Sequence, residues 1–207
     1  MTRLYIDEQE VDPIPPDLRS LDQVLKLVEG THLPANTIIR RIQVDGLPWM
    51  PDGRKACATA GVGDRHKIEI FTGTLLEAAI DSIREAITYL ERVEAATPSL
   101  VSSLRLAAGR EAFESLKQFY EGFYWLNLLL DRLEQTFRLP LETVRLREGN
   151  AMEHHIKLAS ALKEIIEAHE QKDFGLVADL MEYEFAPLIP ACKDVFAAVR
   201  ARILPES

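Results

Sequence analysis

The chain has 207 residues, 47% of them hydrophobic, and a formal net charge of −9. That length suits one large domain or two small ones and buries enough surface to fold without staples. The acidic balance argues against a general nucleic-acid binder, which needs a basic face, and against docking on anionic membranes, so neither nucleic acid nor membrane is expected as a partner.

The N-terminal stretch has no apolar h-region of the signal-peptide kind. The most apolar run, near Phe123–Leu130, contains Asn127 and is too short to span a bilayer. Two cysteines, Cys57 and Cys192, lie one in each half. They read as free thiols in a reducing, bacterial-type cytoplasm.

Leu4 and Ile6 alternate with polar neighbours, and Asp7-Glu8-Gln9-Glu10 then offers a turn before Val11, which predicts a short β-hairpin. Pro13, Pro15 and Pro16 end it. Ser20-Leu21-Asp22-Gln23 is a capping box, Leu21, Val24, Leu25 and Val28 make one helical face, and Gly30 is placed to stop the helix. Ile38, Ile42 and Val44 are expected to share one face of a strand, with Arg40 the polar exception. Asp45-Gly46 is a turn signal, and Lys67-Ile68-Glu69-Ile70 is another strand.

Hairpin, helix, strand and strand in that order resemble a β-grasp, or ubiquitin-like, fold over about a third of the chain. The resemblance implies a docking module by analogy. No terminal Gly-Gly follows, which argues against a conjugated modifier. Residues 51–66 read as a long polar loop. Its Gly61-Val62-Gly63 is a weak phosphate signal, lacking a third glycine and a following Lys-Ser/Thr.

The periodicity changes at Gly73–Thr74. Thr74-Leu75-Leu76-Glu77 is a second capping box, and Leu76, Ile80, Ile83, Ile87 and Leu90 form a heptad seam. Thr97-Pro98 reads as a cap and first-turn pair opening the next helix. Beyond Gly109 the stripe runs Ala112, Leu116, Phe119, Phe123, Leu126, Leu130, Leu133 and Phe137, and Pro140 stops it. Asn150-Ala151-Met152-Glu153 opens a helix to about His169, and Asp173 caps a last one reaching about Ile203.

The expected fold is therefore α+β: a small β-grasp-like module at 1–73, then an antiparallel four-helix bundle at 74–207. With no flexible linker between them, the two are expected to be rigidly joined.

Phe113, Tyr120, Tyr124, Trp125 and Leu128 lie off the main seam of the third element. A helix this apolar is either central, covered by the bundle and the N-terminal module, or presents a face to a protein partner or a second copy in a homodimer.

The densest chemical candidate is Leu176–Pro190. Helical spacing puts Glu184 on the apolar stripe with Val177, Met181 and Leu188, where a carboxylate should be paired, hydrogen-bonded or protonated. Asn127, His155 and His169 are potential partners. Pro187 and Pro190 free carbonyls near Tyr183 and Ala186, so a kink beside a buried acid offers a pocket. The binding candidates are Glu184, Tyr183, Asn127, Tyr124 and Trp125.

The di-iron pattern of helical bundles, Glu-x-x-His on two helices, is absent. His155 and His169 stand about 21 Å apart along one helix and cannot share an ion. There is no Gly-x-Ser-x-Gly and no histidine beside either cysteine, so no catalytic residue, metal or cofactor is expected. Asp179-Leu180-Met181-Glu182-Tyr183-Glu184-Phe185-Ala186-Pro187 resembles a run in uncharacterised bacterial helical proteins with a short β-containing N-terminus, a likeness that implies no known activity. Two functions follow as expectations: a non-enzymatic cytoplasmic adaptor or regulatory protein-binding module, or a small-molecule binding protein or enzyme with its site near Glu184 and Tyr183.

Overall fold

The computed structural model describes residues 2–11, 14–15, 18–34, 36–49, 61, 67–107 and 109–204. Cys57, Pro13, Pro16, most of the 51–66 loop and the Val62-Gly63 part of the phosphate signal lie outside the described residues. The chain forms two compact units, Met1–Ala78 and Ala79–Ser207.

The first unit holds strands β1 (Arg3–Ile6), β2 (Gln9–Glu10), β3 (Thr37–Val44), β4 (Leu47–Pro48) and β5 (Lys67–Thr74), and helix α1 (Leu21–Thr31). They form one mixed sheet ordered β2-β1-β5-β3-β4, with β1 parallel to β5 and the other pairs antiparallel. Asp7 and Glu8 turn the first hairpin with φ of 47° and 69°, and Asp45 and Gly46 the second with 51° and 79°. Both pairs have the positive φ that two-residue hairpins demand. Leu4, Ile68 and Ile70 meet Leu21, Val24 and Val28 of α1 in a common core.

Two local readings are corrected. α1 runs past Gly30 and ends at a His32 cap, whose amide bonds Val28 O. In β3, a register shift between Ile39 and Arg41 makes Arg40 the extra residue opposite β5. The bulge reverses the alternation, so Ile39, rather than Ile38, joins Ile42 against the core.

The helices that follow are α2 (Leu75–Ala107), α3 (Arg110–Phe137), α4 (Ala151–Glu170), α5 (Phe174–Asp179) and α6 (Ile189–Ile203). A π-helical turn, Leu180–Phe185, and a 3-10 turn, Ala186–Leu188, join α5 to α6 in one irregular rod. One core spans these elements, with Phe123, Phe185 and Phe196 among its largest fully buried side chains. Ala112, Leu116, Phe119, Phe123, Leu126, Leu130 and Leu133 of α3 are all buried, as their spacing predicts.

The caps also form as read. Thr74 Oγ1 accepts from the Glu77 amide while Glu77 Oε2 accepts from the Thr74 amide. Asn150 and Asp173 side chains accept from the Glu153 and Leu176 amides. These bonds satisfy amides that a first helical turn leaves without partners.

The break expected at Thr97–Pro98 does not occur: α2 is continuous through Pro98, and the chain breaks at Gly109, the cap residue of α3. Thr97 is buried and its hydroxyl donates to Val93 O at 2.7 Å. The threonine therefore bonds back into the preceding turn instead of capping the next one.

Candidate functional site

Two clefts within the helical unit carry the features a binding site needs. One lies between α3 and α4. It has a volume of about 460 Å³, with Tyr124 and Asn127 on one wall and Ile166, Glu167 and Glu170 on the other. Tyr120 stacks on His169 with ring centroids 5.6 Å apart, while Asn127 and Ala159 line the same groove further along each helix, so α3 and α4 run antiparallel. The exposure on the rim is apolar: Tyr124 is 68% exposed and Ile166 42%. A tyrosine ring and an isoleucine side chain thus flank the groove on opposite helices.

The Tyr120 hydroxyl is buried in this wall without a hydrogen-bond partner among the described residues, and burial pushes its pKa up to about 12. Asn127 donates its amide to Phe123 O at 2.8 Å, one turn back on its own helix. This bond explains how a polar residue sits within an apolar run, and its side-chain oxygen remains available to the groove.

The second cleft, about 420 Å³, separates α2 from α3 near Pro98. Tyr89 closes one end, its hydroxyl donating to the Gln118 and Phe119 carbonyls at 3.4 and 3.3 Å, and burial pushes its pKa up to about 12. Sequence reading missed this cleft because its lining combines small and polar residues at helical spacing, a pattern that also describes an ordinary solvated face.

The five sequence candidates do not converge. Tyr124 and Asn127 share the α3/α4 groove. Trp125 turns to the other side of α3 and meets Tyr89 edge-on at 6.3 Å. Tyr183 and Glu184 sit on the π turn, both exposed.

The buried setting expected for Glu184 is corrected. A step of four residues drifts about 40° per turn on an α-helix. The π turn takes an extra residue per turn and absorbs that drift. The buried stripe is therefore Val177, Met181, Phe185 and Ile189, and Glu184 points away from it. His169, proposed as a partner for that acid, instead stacks on Tyr120 and Phe113.

Glu182 of the π turn and Asp179 just before it share a partner. Arg105 Nη2 stands 2.6 Å from both Asp179 Oδ1 and Glu182 Oε2, and these bonds push the guanidinium pKa up. Pro187 and Pro190 fall in first-turn positions of the 3-10 turn and α6, where a missing amide costs little. Cys192 is buried and its thiol pKa is pushed up to about 12, which makes it a poor nucleophile at neutral pH. Among the described residues, no three His, Cys, Asp or Glu side chains gather into a metal-binding group, and no helix is long and apolar enough to cross a membrane.

The fold is mixed α+β, and both clefts lie in its helical part. Residues 81–195 match the family described as Domain of unknown function (DUF8042), and the chain belongs to that family. No curated relative and no solved structure matches it. The matched span contains both clefts in full.

Proposed function

We propose that this protein is a non-enzymatic adaptor that docks a partner protein in the α3/α4 groove. The observation that carries this reading is the pair Tyr124 and Ile166, exposed on opposite walls of one groove. Burying a tyrosine and an isoleucine supplies the apolar anchors a docking site needs. Lys163, Glu167 and Glu170 add polar groups at its edge. The partner is an amphipathic helix whose apolar residues lie between the two walls.

In this reading the N-terminal unit is a β-grasp module. Its sheet order, its central parallel β1–β5 pair and its single helix after the first hairpin support that assignment. The C-terminal unit is a four-helix bundle, supported by α2, α3, α4 and the composite α5–α6 rod around one core. The cytoplasm is the proposed compartment, consistent with a buried free thiol at Cys192.

The test is affinity capture from the native host with the wild-type chain, Tyr124→Arg and Ile166→Arg, each checked for an unchanged thermal midpoint. The expected result is a protein held by the wild type and lost by both variants, with hydrogen exchange slowed on α3 and α4 in the complex. If that protein is a second copy, sedimentation shows a dimer that both variants dissociate. A partner retained equally by both variants, or a wild-type chain that stays monomeric and captures nothing, overturns the reading.

A further inference from the structure

The α2/α3 cleft has a charged side chain toward each end, Arg92 near Tyr89 and Glu111 in the first turn of α3. Arg92 and Glu111 both line it, both are exposed, and neither makes an ion pair or hydrogen bond with another described residue. Tyr89 of α2 bonds the carbonyls of Gln118 and Phe119, and the two helices join through Gly109, so they form an antiparallel hairpin. Arg92, one turn beyond Tyr89, then lies level with about residue 116 of α3. Glu111 is about five residues further along, an axial offset of about 7.5 Å at 1.5 Å per helical residue.

The wall between them has a matching polarity. Thr97 and Ser103 spend their hydroxyl protons on Val93 O and Ser99 O, at 2.7 and 2.9 Å. Their oxygens can therefore only accept. Ser103 and the Glu111 carboxylate make one end of the cleft rich in acceptors, suited to an ammonium group. The Arg92 guanidinium, which has donors and no acceptor, makes the other end suited to a carboxylate. The remaining surface includes Ala96, Ala112 and Phe119 and leaves room for small apolar side chains.

We propose that this cleft binds a short peptide with free termini, its ammonium at Glu111 and its carboxylate at Arg92. An extended chain spans about 3.3–3.6 Å per residue, so two to three residues cover that offset. The volume of about 420 Å³ falls in the range of small-ligand sites. This site is separate from the α3/α4 groove and does not rest on the docking reading.

The experiment is isothermal titration of the full chain with trialanine, N-acetyl-trialanine and trialanine amide, repeated on Arg92→Gln and Glu111→Gln. Both residues are exposed, and thermal midpoints confirm that the variants fold. The wild type is expected to bind trialanine and to lose about tenfold in affinity when either terminus is capped. Glu111→Gln should no longer distinguish the acetylated peptide from the free one, yet still distinguish the amide. Arg92→Gln should show the reverse. No binding of trialanine by the wild type, indifference to both caps, or two variants that blunt both discriminations equally would overturn the proposal.

Discussion

The ring of Tyr89 lies across Gly122. A β-carbon at that position would overlap the Tyr89 hydroxyl and the carbon that bears it. Glycine at 122 is thus what lets α2 and α3 approach at this level. The ring is held from its other sides by Phe123, edge-on at 5.9 Å, and Trp125, edge-on at 6.3 Å.

Gly122→Ala therefore sets two effects against each other. Alanine gains about 1 kcal/mol of helix propensity. Forcing Tyr89 out of its slot costs about 1–3 kcal/mol, as overpacking does, and removes its hydroxyl from the Gln118 and Phe119 carbonyls. The expected outcome is net destabilisation in urea unfolding. The pair Gly122→Ala with Tyr89→Ala should lose less than the sum of the two single changes, because the clash is then gone.

Pro98 is the second feature that shapes this hairpin. It sits inside α2, where it removes one backbone hydrogen bond and crowds the preceding turn. Pro98→Ala should raise stability by about 1–3 kcal/mol, read from the denaturant midpoint at constant slope. Pro98 lies between the cleft-lining Thr97 and Ser99, so the same variant should also weaken trialanine binding in titration calorimetry.

Much of the helical region is legible in the sequence because periodicity and caps are local signals. Ser20 with Gln23, Thr74 with Glu77, and the α3 stripe from Ala112 to Leu133 all take their expected roles. Misread features depend on what the chain does one turn away. Thr97-Pro98 has the residues of a helix start, but the Thr97 hydroxyl bonds backward to Val93. Glu184 falls on the apolar stripe only if the helix stays α-helical, and the π turn at Leu180–Phe185 changes the phase. Arg40 looks like a polar fault in a strand until the bulge makes it the extra residue. Of the site, Tyr124 and Asn127 were visible as polar or aromatic residues in an apolar helix. The α2/α3 cleft was not, since it arises from the pairing of two helices.

Glu184 provides a direct check on that phase change. If it were on the buried stripe, Glu184→Leu would alter stability by several kcal/mol through the removal of a desolvated carboxylate. Exposed on the π turn, both Glu184→Gln and Glu184→Leu should stay within about 0.5 kcal/mol of the wild type in thermal or urea unfolding.

The buried hydroxyls and thiol make the fold less stable at alkaline pH. Burial raises Tyr89 and Tyr120 from 10.0 to about 12, and Cys192 from 9.0 to about 12. Each group keeps its proton longer in the folded chain than in the unfolded one. The stability this contributes is complete below the unfolded values and is lost as pH rises from about 9 through about 12. Tyr120→Phe removes one of these groups, so its stability should fall less steeply across that window. At pH 7 the same change deletes a hydroxyl that has no partner among the described residues, and it should be neutral or stabilising by up to about 1 kcal/mol. Urea midpoints of wild type and Tyr120→Phe at pH 7 and pH 11 measure both effects. A variant that loses as much stability as the wild type between those two pH values would show that Tyr120 titrates freely in the folded chain.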